Sequence, residues 1–287
     1  MRILVTGSSG LVGSGVAALL RRGHDVIGVD LRPGSQTDVL ADISDPERMK
    51  CALAGADSVV HIAALHAPHV GRESDADFQR TNVDATASLI DLARHSGIRR
   101  FVFTSSTSVY GHALEPAEDL AAWIDEAVKP IPRDVYDRTK IEAERLVRGA
   151  SGPGFSTAIL RMSRCFPEPL PEMTVYRLHR GIDRRDVARA HALALEGAGA
   201  EGETFVISAR PPFRAEDREE LVRDAAAVIR RRAPAVAAEF ERRHWPLPRS
   251  IGRVYSPARA EARLEFTASY GAEAVLVGDC DPAPLSL

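Results

Sequence analysis

Three observations predict an α/β chain built on a doubly wound parallel sheet with a small, mostly helical C-terminal substrate lobe. The β-branched run Arg2-Ile3-Leu4-Val5 leads into the glycine-rich turn Thr6-Gly7-Ser8-Ser9-Gly10-Leu11-Val12-Gly13. An apolar pattern of helical spacing follows at Val12, Val16, Ala17, Leu19 and Leu20. Short apolar strands then alternate with amphipathic helices, until Arg/Ala-rich helical stretches broken by Pro211, Pro212, Pro234, Pro246 and Pro248 take over. A chain of 287 residues is long enough for one large core with a smaller appended lobe.

Strand, glycine turn and helix in that order form a unit fit for a dinucleotide. The glycines allow a tight turn, close approach of backbone N–H groups to a pyrophosphate, and close helix-on-sheet packing. The helix N-terminus adds partial positive charge where the phosphates lie. Gly7, Ser9, Gly10, Leu11, Val12 and Gly13 are therefore candidate cofactor residues. The second strand, Asp25–Asp30, ends on an acid about 20 positions after the glycines, where a carboxylate takes the ribose hydroxyls of an adenosine. Asp30 repels a 2′-phosphate and so favours NAD, while Arg32, just beyond Leu31, keeps NADP open as the alternative. Asp30 also reads as an ordinary strand-end turn residue.

Ala41-Asp42-Ile43 precedes a helix capped by Ser44 or Asp45 with Pro46 in its first turn. The next strand, Ser58 to Ala64, runs into the small residues Ala63 and Ala64, which leave room for a cofactor; His61 within it reads as structural. A polar loop over residues 65–77 contains His66, and a helix from Phe78 to His95 ends at Gly97. Arg99 to Ser106 is the fourth strand, completing a β-α-β-α-β-α-β order of Rossmann type. Asp134–Arg148 and Arg185–Glu196 read as helices, Thr157–Leu160 and Thr204–Ile207 as strands. The tail Asp281–Leu287 is expected to be poorly ordered, and no internal repeat is present. Residues 1–161 and 182–208 divide off as the NAD-binding domain, and 162–181 with 209–287 as the substrate-binding lobe.

Net charge is −3 with arginines spread along the chain, which gives no support for nucleic-acid binding. No apolar run approaches the ~20 residues that span a bilayer, and residues 1–20 lack the pattern of a signal peptide. Cys51, Cys165 and Cys280 stand far apart, so a reduced, cytoplasmic setting without disulfides or a structural metal is expected. Lysine occurs only at Lys50, Lys129 and Lys140 among 37 basic residues, which draws attention to each one.

Tyr136 and Lys140 form the sharpest pair. At i and i+4 they share one helix face, so the ammonium is expected beside the phenol, lowering a pKa ordinarily near ~10. That combination is a general acid/base for a hydroxyl or carbonyl. An exposed Tyr with an ordinary surface Lys is the plainer alternative. The run Thr104-Ser105-Ser106-Thr107-Ser108 favours the first reading, because ligands in open α/β sheets bind outside the strand carboxyl ends.

These segments resemble the extended short-chain dehydrogenase/reductases, or NAD-dependent epimerase/dehydratase family, over roughly residues 1–208 and more weakly to about 266. The resemblance rests on Thr6-Gly7-x-x-Gly10-x-x-Gly13, Asp30, Asp42-Ile43, His61-Ile-Ala-Ala64 and Asn82-Val83-x-x-Thr86. It continues with Ser105-Ser106-Thr-Ser-Val109-Tyr110-Gly111, Tyr136-x-x-x-Lys140, Leu160-Arg161 and Asp186-Val187-Ala188. It implies Ser106 as the catalytic hydroxyl, Tyr136 as acid/base and Lys140 as its partner and ribose ligand. Asn82 resembles the family's asparagine near the cofactor, and Asp42 and Ile43 the residues flanking the adenine. A homodimer is likewise implied.

Departures narrow the reading. Only residues 162–180 separate Arg161 from the Gly181–Asp186 segment, too little to wrap a nucleoside diphosphate as longer family members do. The compact form, and Arg161-Met-Ser-Arg-Cys165-Phe-Pro167-Glu168-Pro169 in particular, resembles uronate dehydrogenase. Arg164, Arg177, His179 and Arg180 crowd this segment and are suited to a carboxylate or phosphate if they face inward. A solvated basic loop is the alternative. Together with His66, Ser106 and Thr107, Arg164 and Arg177 are the candidate substrate residues. The expected function is hydride transfer between NAD and a carbinol or carbonyl carbon of a small, sugar-like or polar substrate. The alternatives are an NAD-retaining sugar epimerase or dehydratase and a non-catalytic dinucleotide-binding protein.

Overall fold

The computed structural model describes residues 1–116 and 119–279. Cys280 and the tail from Asp281, expected to be poorly ordered, lie outside the described residues. The chain opens with β1 (Arg2–Thr6), α1 (Leu11–Leu20), β2 (Asp25–Asp30), β3 (Val39–Leu40), α2 (Pro46–Ala52) and β4 (Ser58–His61). It continues through α3 (Asp75–Gln79), a π-helical turn (Arg80–Asp84), α4 (Ala85–His95), β5 (Arg100–Ser106), β6 (Ala122–Ile124), α5 (Val135–Ala150) and β7 (Ser156–Met162). Next come α6 (Leu170–His179), α7 (Arg184–Glu196), β8 (Glu203–Ile207), α8 (Arg218–Arg223), α9 (Ala225–Arg232) and α10 (Pro234–Arg242). The last elements are β9 (Arg253–Tyr255), α11 (Ala258–Leu264) and α12 (Ala272–Leu276).

Seven strands form one parallel sheet in the order β3-β2-β1-β4-β5-β7-β8. β1 shows why its sequence is apolar throughout: Ile3 and Val5 enter the core beneath α1 and α7, whereas Leu4 enters the opposite core with Met49, Leu89 and Phe101. The chain leaves β1 toward β2 and later returns to β4 on its other side. The carboxyl ends of β1 and β4 therefore part at a switch point, where such sheets open a ligand crevice.

Local chemistry sets the element ends. Asp45, not Ser44, caps α2, accepting from Glu47 N and Arg48 N at 3.1 Å each. The helix expected from Phe78 starts at Asp75, because Ser74 and Asp77 make a capping box that the loop reading overlooked. β4 stops at His61 rather than Ala64, since the Ile62 and Ala63 amides turn to Thr6 Oγ1 at 3.1 and 3.2 Å.

A second apolar cluster gathers Leu178, Phe213, Leu221, Val228, Ile229, Val236, Phe240 and Ile251 from α6 and the helices after β8. Pro234 sits in the first turn of α10, where its missing N–H costs nothing. β6 and β9 pair in parallel, Ala122 opposite Arg253, and bring this cluster against the main body. The C-terminal segment is shared between the two cores, for Ala260, Leu264 and Phe266 pack under the main sheet.

Candidate active site

A cleft of about 810 Å³ runs along the carboxyl ends of the strands. The glycine turn forms one wall. Gly7 has φ +75°, and a Cβ there would lie 2.8 Å from Ala63 N; a Cβ on Gly13 would lie 1.9 Å from Gly7 O. Only glycine lets the turn, β4 and α1 approach so closely. α1 begins after Gly10 without a side-chain cap, and Leu11, Val12 and Gly13 line the cleft, leaving its N-terminal amides for an anionic ligand. Asp30 reaches the same wall, its carboxylate fixed by Ser9 N at 2.9 Å and Arg32 N at 3.0 Å. Leu31, Arg32, Asp42, Ile43, Ala63 and Ala64 complete it.

Two expected cofactor residues do not line this wall. Ser9 lies behind it, with its hydroxyl on Arg32 O at 2.7 Å and Thr37 Oγ1 at 2.6 Å. Asn82 is buried in the π-helical turn and spends its amide within the protein. Its Oδ1 accepts from Leu65 N at 2.8 Å, and its Nδ2 donates to Leu65 O at 2.9 Å and Thr139 Oγ1 at 3.1 Å. Both residues hold backbone that borders the cleft.

The chemistry-bearing side chains stand where β5 meets α5. Ser106 ends β5, Asp134 caps α5 through Asp137 N at 2.9 Å, and the first turns of α5 carry Tyr136 and Lys140 into the cleft. Ser106 and the Tyr136 phenol both line the cleft, and the Ser106 hydroxyl favours the ionised form of the phenol. Thr104, Ser105 and Thr107 line the cleft beside them, as does His66 from the facing loop. The Lys140 ammonium donates to Thr104 O at 2.7 Å and lies 4.1 Å from the centre of the Phe103 ring.

The electrostatics correct one expectation. The phenol of Tyr136 is pushed up to about 12, not down: burial outweighs the lowering effect of the Ser106 hydroxyl, and Asp137 and Asp134 also raise it. Burial likewise lowers Lys140 to about 7, with Glu144 opposing. The helix face was read correctly; what the spacing could not show was the desolvation of both groups.

The imidazoles flanking this centre are structural. Thr86 donates to Asn82 O and accepts from His61 Nε2 at 3.0 Å, so His61 Nδ1 accepts from Thr6 at 2.7 Å, and burial lowers its pKa to about 3. His191 donates from Nδ1 to Val187 O at 2.8 Å and accepts from Thr104 at 2.7 Å.

Behind the serine strand lies a buried ion network. Ser105 donates to Glu144 at 2.6 Å, Arg161 grips both Glu144 oxygens at 2.9 and 2.6 Å, and Arg161 also donates to the Tyr110 hydroxyl at 3.1 Å. The Tyr110 hydroxyl donates in turn to Asp125 O at 2.8 Å. This network fixes the strand that ends in Ser106.

The segment expected to set specificity divides. Arg164 lines the cleft but is ion-paired with Glu168. Arg177 points away from it, toward Asp183 at 3.3 Å and a separate cavity of about 540 Å³ shared with Trp123 and Phe213. Its place on α6 is the reason, since Thr174, Arg177 and Leu178 share the buried side of that helix. Arg133, Ser163, Arg180, Arg253 and Tyr255 line the cleft instead. Arg180 was visible in the basic segment; Arg253 and Tyr255 had no local signal, because only the β6–β9 pairing brings them here. Among the described residues no group of three or more His, Cys, Asp or Glu is arranged to hold a metal ion, and no helix is long and apolar enough to cross a membrane.

Residues 3–173 match the profile of the "NAD dependent epimerase/dehydratase family". The chain is 34% identical over 176 residues to a 3-beta-hydroxysteroid dehydrogenase of Mycolicibacterium neoaurum, covering 56% of this chain and 47% of that one. It thus spans about half the length of that relative. A 2-alkyl-3-oxoalkanoate reductase of Stenotrophomonas maltophilia is 31% identical over 295 residues, covering 88% and 86% of the two chains. Among solved structures, a short-chain dehydrogenase/reductase superfamily protein from Agrobacterium tumefaciens with bound NAD superposes with a TM-score of 0.74 at 25% identity, over 97% of this chain and 95% of that one.

Proposed function

As the chain belongs to the NAD dependent epimerase/dehydratase family, we propose that it is an NAD-dependent oxidoreductase acting on a secondary alcohol or carbonyl carbon of a small polar substrate. The observation that carries this reading is the placing of Ser106, Tyr136 and Lys140 in the same cleft as the glycine turn and Asp30. The wall from Gly7 to Gly13 takes the pyrophosphate, and Asp30 takes the adenosine ribose in preference to a 2′-phosphate. Bound there, NAD supplies the hydride donor or acceptor.

The residues of the chain supply the proton chemistry. With its pKa near 12, the Tyr136 phenol holds its proton at neutral pH and is set to give it to a carbonyl oxygen. Ser106 orients that oxygen. This state matches the reducing direction, the direction named for the Stenotrophomonas relative. In the reverse direction the same oxygen atoms take a hydroxyl proton. Residues 162–181 and 209–287 supply the substrate side and 1–161 with 182–208 the cofactor side. A homodimer in the cytoplasm completes the reading, and light scattering of the purified chain tests the dimer.

Tyr136→Phe removes the transferred proton and should abolish absorbance change at 340 nm with a turned-over substrate, while dinucleotide titration stays at the wild-type affinity. Turnover surviving that substitution overturns the mechanism. Substrate conversion without any change at 340 nm would mean an epimerase instead.

A further inference from the structure

The lobe side of the cleft carries positive charge that no carboxylate among the described residues pairs with. The buried arginines Arg161 and Arg177 are matched to Glu144 and Asp183, and the half-buried Arg232 to Asp217. Arg180 and Arg253 both line the cleft, and among the described residues no carboxylate pairs with either. Both are held in place. Arg164 N donates to Arg180 O at 3.1 Å and Ile182 N to Arg164 O at 2.9 Å, clasping the two ends of the 162–181 segment. His179 Nδ1 donates to Arg253 O at 2.8 Å and ties α6 to β9. The Arg180 guanidinium lies over the Tyr176 ring, 4.1 Å from its centre.

Among the described residues, two polar atoms there are buried without a hydrogen-bond partner: Arg180 Nε and Ser163 Oγ, the latter in a residue only 2% exposed. Burial lowers the Arg253 pKa, Tyr255 opposes, and the charges of Arg180 and Arg133 lower it further. Like charges and unsatisfied donors gathered on one wall destabilise a fold unless a ligand completes them. We propose that Arg180, Arg253 and the Ser163 hydroxyl form an anion subsite, which holds a carboxylate or phosphate of the substrate while Tyr136 and Ser106 address its carbonyl. The proposal rests on the oxidoreductase reading and names its substrate class as anionic.

Calorimetric titration of the full chain, with and without saturating NAD⁺, tests it. The ligands are matched pairs: glucuronate against glucose, lactate against propane-1,2-diol, and glycerol 3-phosphate against glycerol. At least one anion should bind on the order of tenfold or more tightly than its neutral partner. Arg180→Met and Arg253→Met should each remove that preference, leave NAD⁺ affinity at its wild-type value, and keep or raise Tm as the repulsion is relieved. The carboxylate and phosphate pairs separate the two sources. No anion exceeding its neutral partner in either condition, or a preference that survives both substitutions, overturns the subsite. An anion preference in a chain that fails to bind NAD⁺ leaves the subsite standing and removes only the dinucleotide reading.

Discussion

Glu144→Leu tests how much of the fold depends on the ion network behind the serine strand. The change strips Arg161 of both carboxylate bonds, leaving it the Tyr110 hydroxyl at 3.1 Å, and leaves Ser105 without its acceptor. Glu144 is 2% exposed and Arg161 5%, so water does not replace the missing charge. Removing one partner of such a pair costs about 3–5 kcal/mol. For 287 residues the unfolding entropy is about 0.6 kcal/mol/K, so Tm should fall by about 5–8 °C in differential scanning calorimetry. The double variant Glu144→Leu/Arg161→Met removes the stranded charge. It should recover part of that loss and remain about 1–3 kcal/mol below wild type through the unsatisfied Ser105 hydroxyl. A Tm drop below about 2 °C for the single variant, or a double variant as unstable as the sum of the singles, refutes this account.

Three further outcomes are expected. Gly13→Ala forces a Cβ to 1.9 Å from Gly7 O, so the turn must open; stability should fall by about 1–3 kcal/mol and dinucleotide affinity with it, read by urea unfolding and titration. Asp30→Asn removes the charge and keeps an acceptor for only one of Ser9 N and Arg32 N, which bond different carboxylate oxygens, and the ratio of kcat/KM for NADP⁺ over NAD⁺ should rise about tenfold. Lys140 falls on folding from 10.5 to about 7, so between those values the unfolded chain holds a proton that the folded chain does not. Stability of the dinucleotide-free protein should therefore rise with pH from about 7 to about 10.5, and Lys140→Met should flatten that rise; an identical slope in the variant would count against a buried Lys140.

The sheet was legible because each strand is a short apolar run and each helix repeats at its own period. The glycine turn, Asp30, Ser106 and the Tyr136/Lys140 spacing are local patterns, and they meet in one cleft as that order implies. What stayed hidden depends on phase or distance. Without α6 in view, nothing said that Arg177 would turn inward to Asp183 while Arg180, just past the helix end, would enter the cleft. Asn82 was found by its motif, yet its role as a backbone clamp follows from a π-helical turn that no residue pattern announces. The raised Tyr136 pKa is a property of burial, which the helix face alone does not reveal.

The pairing of β6 with β9 also sets an order of assembly. A chain made from its N-terminus has all seven strands of the main sheet in hand once Ile207 is complete, well before Arg253 exists. The glycine turn, Asp30 and Tyr136 can thus reach their places while synthesis continues. The arginine wall waits for a contact between residues 122–124 and 253–255, and a loop of that length closes slowly. On the proposed reading, the half that would hold a dinucleotide can form first, and the arginine wall only once residues 253–255 are made.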